Sequence, residues 1–218
     1  MKEPPFFIAL AGPSGSGKSC LAGALQGALG KERCGVISLD SYYRDLGHLT
    51  VEERRESDFD RPAALDDARL EADLRTLKAG GEIRIPVYDF STHSRKRETC
   101  GFRPLPIVIL EGIFVLCLPG LQDLVELSIY VELDGDECLA RRLARDVHAR
   151  GRDEAGIRAQ FEQWVRPSLS AWVEPQKERA DLVVDGARPV GELVPEILRE
   201  IPAARQPAGK IPGRPPNI

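Results

Sequence analysis

Gly12-Pro13-Ser14-Gly15-Ser16-Gly17-Lys18-Ser19 is the stretch on which the reading of this chain turns. It matches G-x-x-x-x-G-K-[ST] in full, follows an apolar run (Phe6–Ala11, FFIALA) and opens a segment with helical spacing of Leu21, Ala24, Leu25, Ala28 and Leu29. A strand running through a glycine-rich turn into a helix is the context this motif requires. The glycines let backbone N–H groups turn inward around phosphate oxygens, and the helix amino end adds partial positive charge. Gly12, Pro13, Ser14, Gly15, Ser16 and Gly17 are therefore expected to cradle a nucleotide's phosphates. Lys18 is expected to reach the β and γ phosphates, and Ser19 to ligate Mg²⁺.

Outward from this loop the chain alternates. Strands are expected at Cys34–Leu39, Glu82–Tyr88, Pro106–Leu110, Leu127–Leu133 and Ala180–Val184. Helices are expected at Lys18–Leu29, Asp66–Lys78, Asp136–Ala149, Asp153–Trp164 and Leu193–Ile201. Strands separated by helices of this length point to an α/β fold, a parallel doubly wound sheet flanked by helices. Pro106–Leu110 (PIVIL) reads as a central strand, whereas Pro86 demotes its segment to an edge or hairpin. Residues 1–201 read as one domain, and the Pro-, Gly- and Arg-rich segment 202–218 as a disordered tail.

Composition narrows the function. The 218 residues carry 30 basic and 34 acidic side chains, a net charge of −4 that argues against a nucleic-acid coat. No apolar run reaches about 18 residues, so no membrane partner is expected. Five cysteines without a C-x-x-C pair read as reduced thiols, hence a cytoplasmic protein. The one asparagine, Asn217, rules out an N-K-x-D guanine-reading motif.

A small P-loop kinase needs carboxylates near the transferred phosphoryl and its Mg²⁺, mobile arginines and an acceptor pocket. Asp40 and Glu111 end the second strand and the PIVIL strand, where α/β proteins place ligands. With Ser19 they form the candidate metal-side set, Glu111 standing in place of the usual Walker-B Asp. Arg141–Arg152 (RRLARDVHARGR) sets five arginines against one aspartate. Arg142 and Arg145 share a helix face, and Arg150-Gly151-Arg152 adds a basic turn, as a closing lid over phosphates would need. Tyr42, Tyr43, Phe59, Tyr88 and Phe90 flank the acidic segments and, with His93, could form a box for a heterocyclic base.

These stretches resemble the uridine kinase (uridine-cytidine kinase) family. The resemblance is carried by the phosphate loop, SLDSYY (38–43), DFDRPAALD (58–66), PVYDFSTHSR (86–95), LEGI (110–113), the arginine run and EPQKERADLVV (174–184), in order from about Phe6 to Asp185. It implies transfer of phosphoryl from ATP or GTP, with Mg²⁺, to the 5′-hydroxyl of uridine or cytidine in pyrimidine salvage, by a homo-oligomer, often a tetramer. By position it makes Asp40 the general base, assisted by Lys18 and Arg145. Arg145 and Arg150 face phosphate, while Asp60 and Arg142 hold the ribose hydroxyls. Tyr88, His93, Arg152 and Gln160 surround the base, and Tyr43, Phe59 and Phe90 wall it. A hairpin near residues 82–104 covers the nucleoside. Arg61 stands where the family has His, and Cys20 where Ser or Thr is common. A kinase of another small acceptor, such as a sugar phosphate (phosphoribulokinase-like), and a non-catalytic nucleotide-binding regulatory module are the competing readings.

Overall fold

A computed structural model describes residues 3–150 and 153–206, apart from the side chains of Arg55, His148, Ala149 and Arg150. Five strands make one parallel sheet: β1 (Phe6–Ala11), β2 (Cys34–Ser38), β5 (Ile107–Glu111), β6 (Leu127–Glu132) and β7 (Leu182–Asp185), ordered β2-β5-β1-β6-β7. β3 (Ile83–Asp89) and β4 (Ser94–Phe102) form a separate antiparallel hairpin. The helices are α1 (Lys18–Leu29), α2 (Val51–Arg55), α3 (Asp67–Lys78), α4 (Gly135–Arg150), α5 (Glu154–Gln160), the single turn α6 (Arg166–Ser168) and α7 (Val190–Glu200).

The central strands are buried on both faces, which is why they read as continuous apolar runs. Their alternation divides the core. Phe7, Ala9, Val108 and Leu110 face one apolar layer, together with Leu70, Leu74 and Leu77 of α3. Ile8, Leu10, Ile107 and Ile109 face the other, against Leu21 and Leu25 of α1 and Leu193 and Ile197 of α7. β1 sits between β5 and β6; the connection from β1 runs to β2 on one side, and the connection from β5 crosses back over β1 to β6 on the other. That switch opens a crevice at the carboxyl ends of the strands, where Gly12–Ser19 lies.

The sheet, the flanking helices and the hairpin agree with the sequence reading; three local expectations change. β4 carries no apolar alternation (SRKRETCGF), so pattern alone missed it. The helix expected to stop at Trp164 continues to Arg179, through wide π turns at Phe161–Val165 and Leu169–Val173 and a 3₁₀ stretch at Glu174–Arg179. Wide turns take in extra residues. Pro167 and Pro175 are the second residues of the Arg166–Ser168 turn and the Glu174–Arg179 stretch, in the first turn of each, where a missing N–H is tolerated. Residues 202–206, expected in a disordered tail, are ordered. Arg33 Nη2 donates to the carbonyl of Arg205 (3.2 Å), and Gln206 Nε2 to those of Leu198 (2.7 Å) and Ile201 (2.6 Å). The rest of that tail lies outside the described residues. Among the described residues no helix is long and apolar enough to cross a membrane.

Candidate active site

The phosphate loop is held open by backbone geometry that only glycine tolerates cheaply. Gly12 has φ +135°, and a Cβ there would lie 2.3 Å from the Val131 carbonyl oxygen; at Gly15, φ +96°, it would meet the Cys138 oxygen at 2.8 Å. Lys18 and Ser19 are the first residues of α1. Lys18 is buried, and its Nζ donates to the carbonyls of Gly12 and Pro13 at 2.8 Å each. Burial pushes its pKa down, while the charges of Glu111 and Asp40 push it back up. The ammonium thus lies among both carboxylates expected from the sequence.

Strand register explains the convergence. Glu111, the last residue of β5, pairs with Leu10 of β1 on one side and Ser38 of β2 on the other. Ser19 Oγ donates to Glu111 Oε2 at 3.3 Å. Asp40 lies in a 3₁₀ turn, Leu39–Tyr42, directly after β2. Two features fit phosphate and Mg²⁺. Ser16 Oγ is buried in the loop with no hydrogen-bond partner among the described residues, an orphan that a phosphate oxygen would satisfy. One hydroxyl beside one carboxylate suits Mg²⁺, which keeps waters and phosphate oxygens as its other ligands. Among the described residues, no group of three or more His, Cys, Asp and Glu side chains forms a fuller metal cage.

Arg142 and Arg145, three residues apart on α4, share one carboxylate, that of Asp146. Asp146, fully buried, accepts from Arg145 Nε at 2.8 Å and lies 3.7 Å from Arg142 Nε. Arg142 Nη2 also donates to Gln160 Oε1 (3.1 Å), joining α4 to α5. The charge of Arg145 reaches Lys18, opposing its protonation, which puts α4 beside the phosphate loop. Arg152 and the side chain of Arg150 lie outside the described residues. Asp146 is the lone acid of the arginine run, and its spacing to Arg142, i and i+4, is the sequence signal of this pairing, which the expected lid does not include.

The aromatic residues form a row. His93 stacks on Phe59 (4.8 Å, 18°), Phe59 meets Tyr43 edge-on (5.7 Å), Tyr43 lies 5.4 Å from Tyr88, and Tyr88 meets Phe90 edge-on (5.2 Å). The hairpin turn holds His93 at φ 50°. Burial pushes the Tyr43 pKa well above its ordinary value, and the charges of Asp40 and Asp60 add to the shift while Arg142 opposes it. Tyr43 therefore stands where the row meets the acids. Tyr88 is buried too, its pKa raised by burial to about 12, and its hydroxyl finds no partner among the described residues. Tyr42 departs from the proposed box: it is fully buried and its hydroxyl donates to Asp73 (2.9 Å), pinning the Asp40 turn to α3.

A hollow of about 250 Å³ opens between Phe59, Asp60, Gln160 and Trp164, at the acceptor side of the site. A larger one, about 570 Å³, lies among Leu116, Leu121, Ser128 and Arg179. It opens near the amino end of β6, the opposite end of the sheet from the phosphate loop, so size does not mark the chemistry here.

The description "Phosphoribulokinase / Uridine kinase family" belongs to a family model that matches residues 7–190. A protein named uridine kinase from Shewanella amazonensis is 41% identical over 181 residues, covering 81% of this chain and 85% of that protein. Its namesake from Escherichia coli is 42% identical with the same coverage. Among solved structures, phosphoribulokinase from Rhodobacter spheroides superposes with a TM-score of 0.62 at 17% identity, over 87% of this chain and 75% of that one. That last likeness concerns the fold alone.

Proposed function

From the premise that the chain belongs to the phosphoribulokinase / uridine kinase family and is a phosphotransferase, we propose that it phosphorylates the 5′-hydroxyl of uridine and cytidine. ATP or GTP would be the donor, and UMP and CMP the products of pyrimidine salvage. The observation that carries the reading of the acceptor is the row of rings from His93 to Phe90, with Asp60 near Tyr43 and a buried Tyr88 hydroxyl that has no partner among the described residues. A sugar phosphate would call for cationic lining instead.

Ser19 and Glu111 would hold Mg²⁺, which when bound offsets charge on the donor's phosphate oxygens. The Gly12–Gly17 backbone and Lys18 bind and orient those phosphates. Asp40 accepts the proton of the 5′-hydroxyl as that oxygen attacks the γ phosphorus. The bond from the γ phosphorus to the β–γ bridging oxygen breaks, the nucleoside diphosphate leaves, and Arg145 counters charge on the transferred group. Asp60 and Arg142 hold the ribose hydroxyls, with Gln160 and Arg152 toward the base. A neutral His93 presents a donor at one nitrogen and an acceptor at the other, so either pyrimidine edge finds a match. A cytoplasmic location and a homotetramer belong to the same proposal; the five free cysteines support the first and the family resemblance the second.

The test is a panel of initial rates on uridine, cytidine, thymidine and adenosine. Uridine and cytidine are expected to turn over. Thymidine lacks the 2′-hydroxyl, and a site built for a hydroxyl rejects its absence by about 10⁴–10⁵. Adenosine is expected to fail on width. Adenosine as the best acceptor, or turnover of a sugar phosphate alone, would overturn the proposal.

A further inference from the structure

Arg95, on β4, was part of the motif that carried the family resemblance, yet neither sequence nor mechanism gives it work. Its side chain is 13% exposed. Nε donates to the Tyr43 carbonyl at 2.8 Å, Nη2 to the Tyr42 carbonyl at 3.2 Å, and Nη1 to Asp66 Oδ2 at 2.9 Å. Its backbone N–H donates to Asp45 Oδ1 at 3.2 Å. Tyr42 and Tyr43 follow Asp40 by two and three residues. Asp66 caps α3, accepting from the Arg69 N–H, and its own N–H donates to the Tyr42 carbonyl (2.8 Å). One guanidinium thus joins three segments that are remote in sequence: the Asp40 turn, the start of α3 and the hairpin.

The hairpin is outside the main sheet; Ile83, Ile85, Tyr88 and Phe102 seat its apolar side on the core, and the Arg95 bridge fixes its polar side to the Asp40 turn and α3. Arg95 pairs directly with Tyr88 across β3 and β4, and His93 lies two residues before it. We infer that Arg95 is a positioning residue for the acceptor: it fixes where Tyr88 and His93 stand relative to Asp40 and Tyr43. The chemistry requires arginine. A planar fork presents several donors in fixed directions, whereas a lysine ammonium is one point that cannot reach two carbonyls and a carboxylate in this geometry. The identity of the acceptor is taken from the nucleoside-kinase reading; the bridging geometry stands without it.

Arg95→Gln and Arg95→Lys test the inference, with acceptor and ATP kinetics, binding of a fluorescent ATP analogue and thermal unfolding measured on each full chain. Misplacement of about 1 Å can cost about a hundredfold in rate, so kcat/KM for uridine is expected to fall by about tenfold to a hundredfold in Arg95→Gln. Affinity for the ATP analogue, set at the Gly12–Ser19 loop, to which none of the Arg95 bonds runs, is expected to stay within about twofold. Arg95→Lys keeps the charge opposite Asp66 and should recover only part of the loss. If Arg95→Gln does not fold, Arg95→Lys decides alone: wild-type uridine kinetics in it would overturn the inference. Equal losses in uridine kcat/KM and in ATP-analogue affinity would overturn it as well, since that is general damage to the scaffold. Absence of uridine turnover in the unaltered chain would count against the nucleoside reading instead. The variants would then be scored on the acceptor that the unaltered chain does use.

Discussion

At the proposed phosphate end, one continuous stretch, Gly12–Ser19, supplies most of the assigned groups. At the proposed acceptor end, the assigned groups come from residues 40–43, 59–60, 88–95 and 142–160. The first is built mainly from backbone: positive φ at Gly12 and Gly15, approach distances that exclude a Cβ, and a lysine folded onto two carbonyls. The second is built from side chains that touch one another, ring on ring and arginine on carboxylate. A backbone site tolerates little substitution and is recognised locally. A side-chain site can be retuned ring by ring, and its geometry depends on how remote segments are held.

Asp40 belongs to both ends, since its charge acts on Lys18 and on Tyr43. Asp40→Asn keeps size and hydrogen bonding but cannot take a proton, so turnover is expected to fall by about 10²–10⁴. Affinities for ATP and uridine should change little. Rapid-quench turnover with separate binding titrations checks this. Should either affinity collapse along with turnover, Asp40 is a binding group of that end rather than the proton acceptor between them.

Gly12→Ala probes the backbone end. The new Cβ would be forced within 2.3 Å of the Val131 oxygen at φ +135°. Strain of this kind costs about 1–3 kcal/mol, and relieving it must move the loop. ATP affinity is expected to drop by about tenfold or more, roughly the binding equivalent of 1.4 kcal/mol. Uridine affinity, measured without nucleotide, should hold. Titration calorimetry with each ligand separates the two, and parallel losses would show that the ends are not independent.

The same division sets what could be read from the sequence. The phosphate loop, its flanking strand and helix, and the central strands were legible because each signal is local: a fixed spacing, or an apolar run of a buried parallel strand. The row of rings was legible as a set of residues, though not as a row, because the contacts of Phe59 with His93 and of Tyr43 with Tyr88 depend on where the hairpin lies. Tyr42 shows the limit well. It neighbours Tyr43 in sequence but anchors to Asp73 in the core. Arg95 escaped for a related reason: its partners Tyr42, Tyr43 and Asp66 are remote in sequence, and partner choice at that range leaves no local pattern. Asp146, by contrast, lies one turn of helix from Arg142, and its spacing was there to be read.

Tyr88→Phe should have the smallest effect, and its two readouts move in different directions. The Tyr88 hydroxyl is buried without a partner among the described residues, and leaving such a group unsatisfied costs about 1–3 kcal/mol. Removing the oxygen while keeping the ring should therefore leave stability unchanged or raise it. With its pKa raised to about 12 by burial, the phenol stays protonated at neutral pH and can donate to an incoming base. A hydrogen bond of net worth about 0.5–1.5 kcal/mol corresponds to a rise in the uridine KM of about twofold to tenfold. The ATP KM should not move, because the phosphate end does not share this group. Thermal unfolding beside steady-state kinetics checks both signs. A lower melting temperature with an unchanged uridine KM would make the hydroxyl a structural group of the hairpin, and the ring row would then discriminate by shape alone.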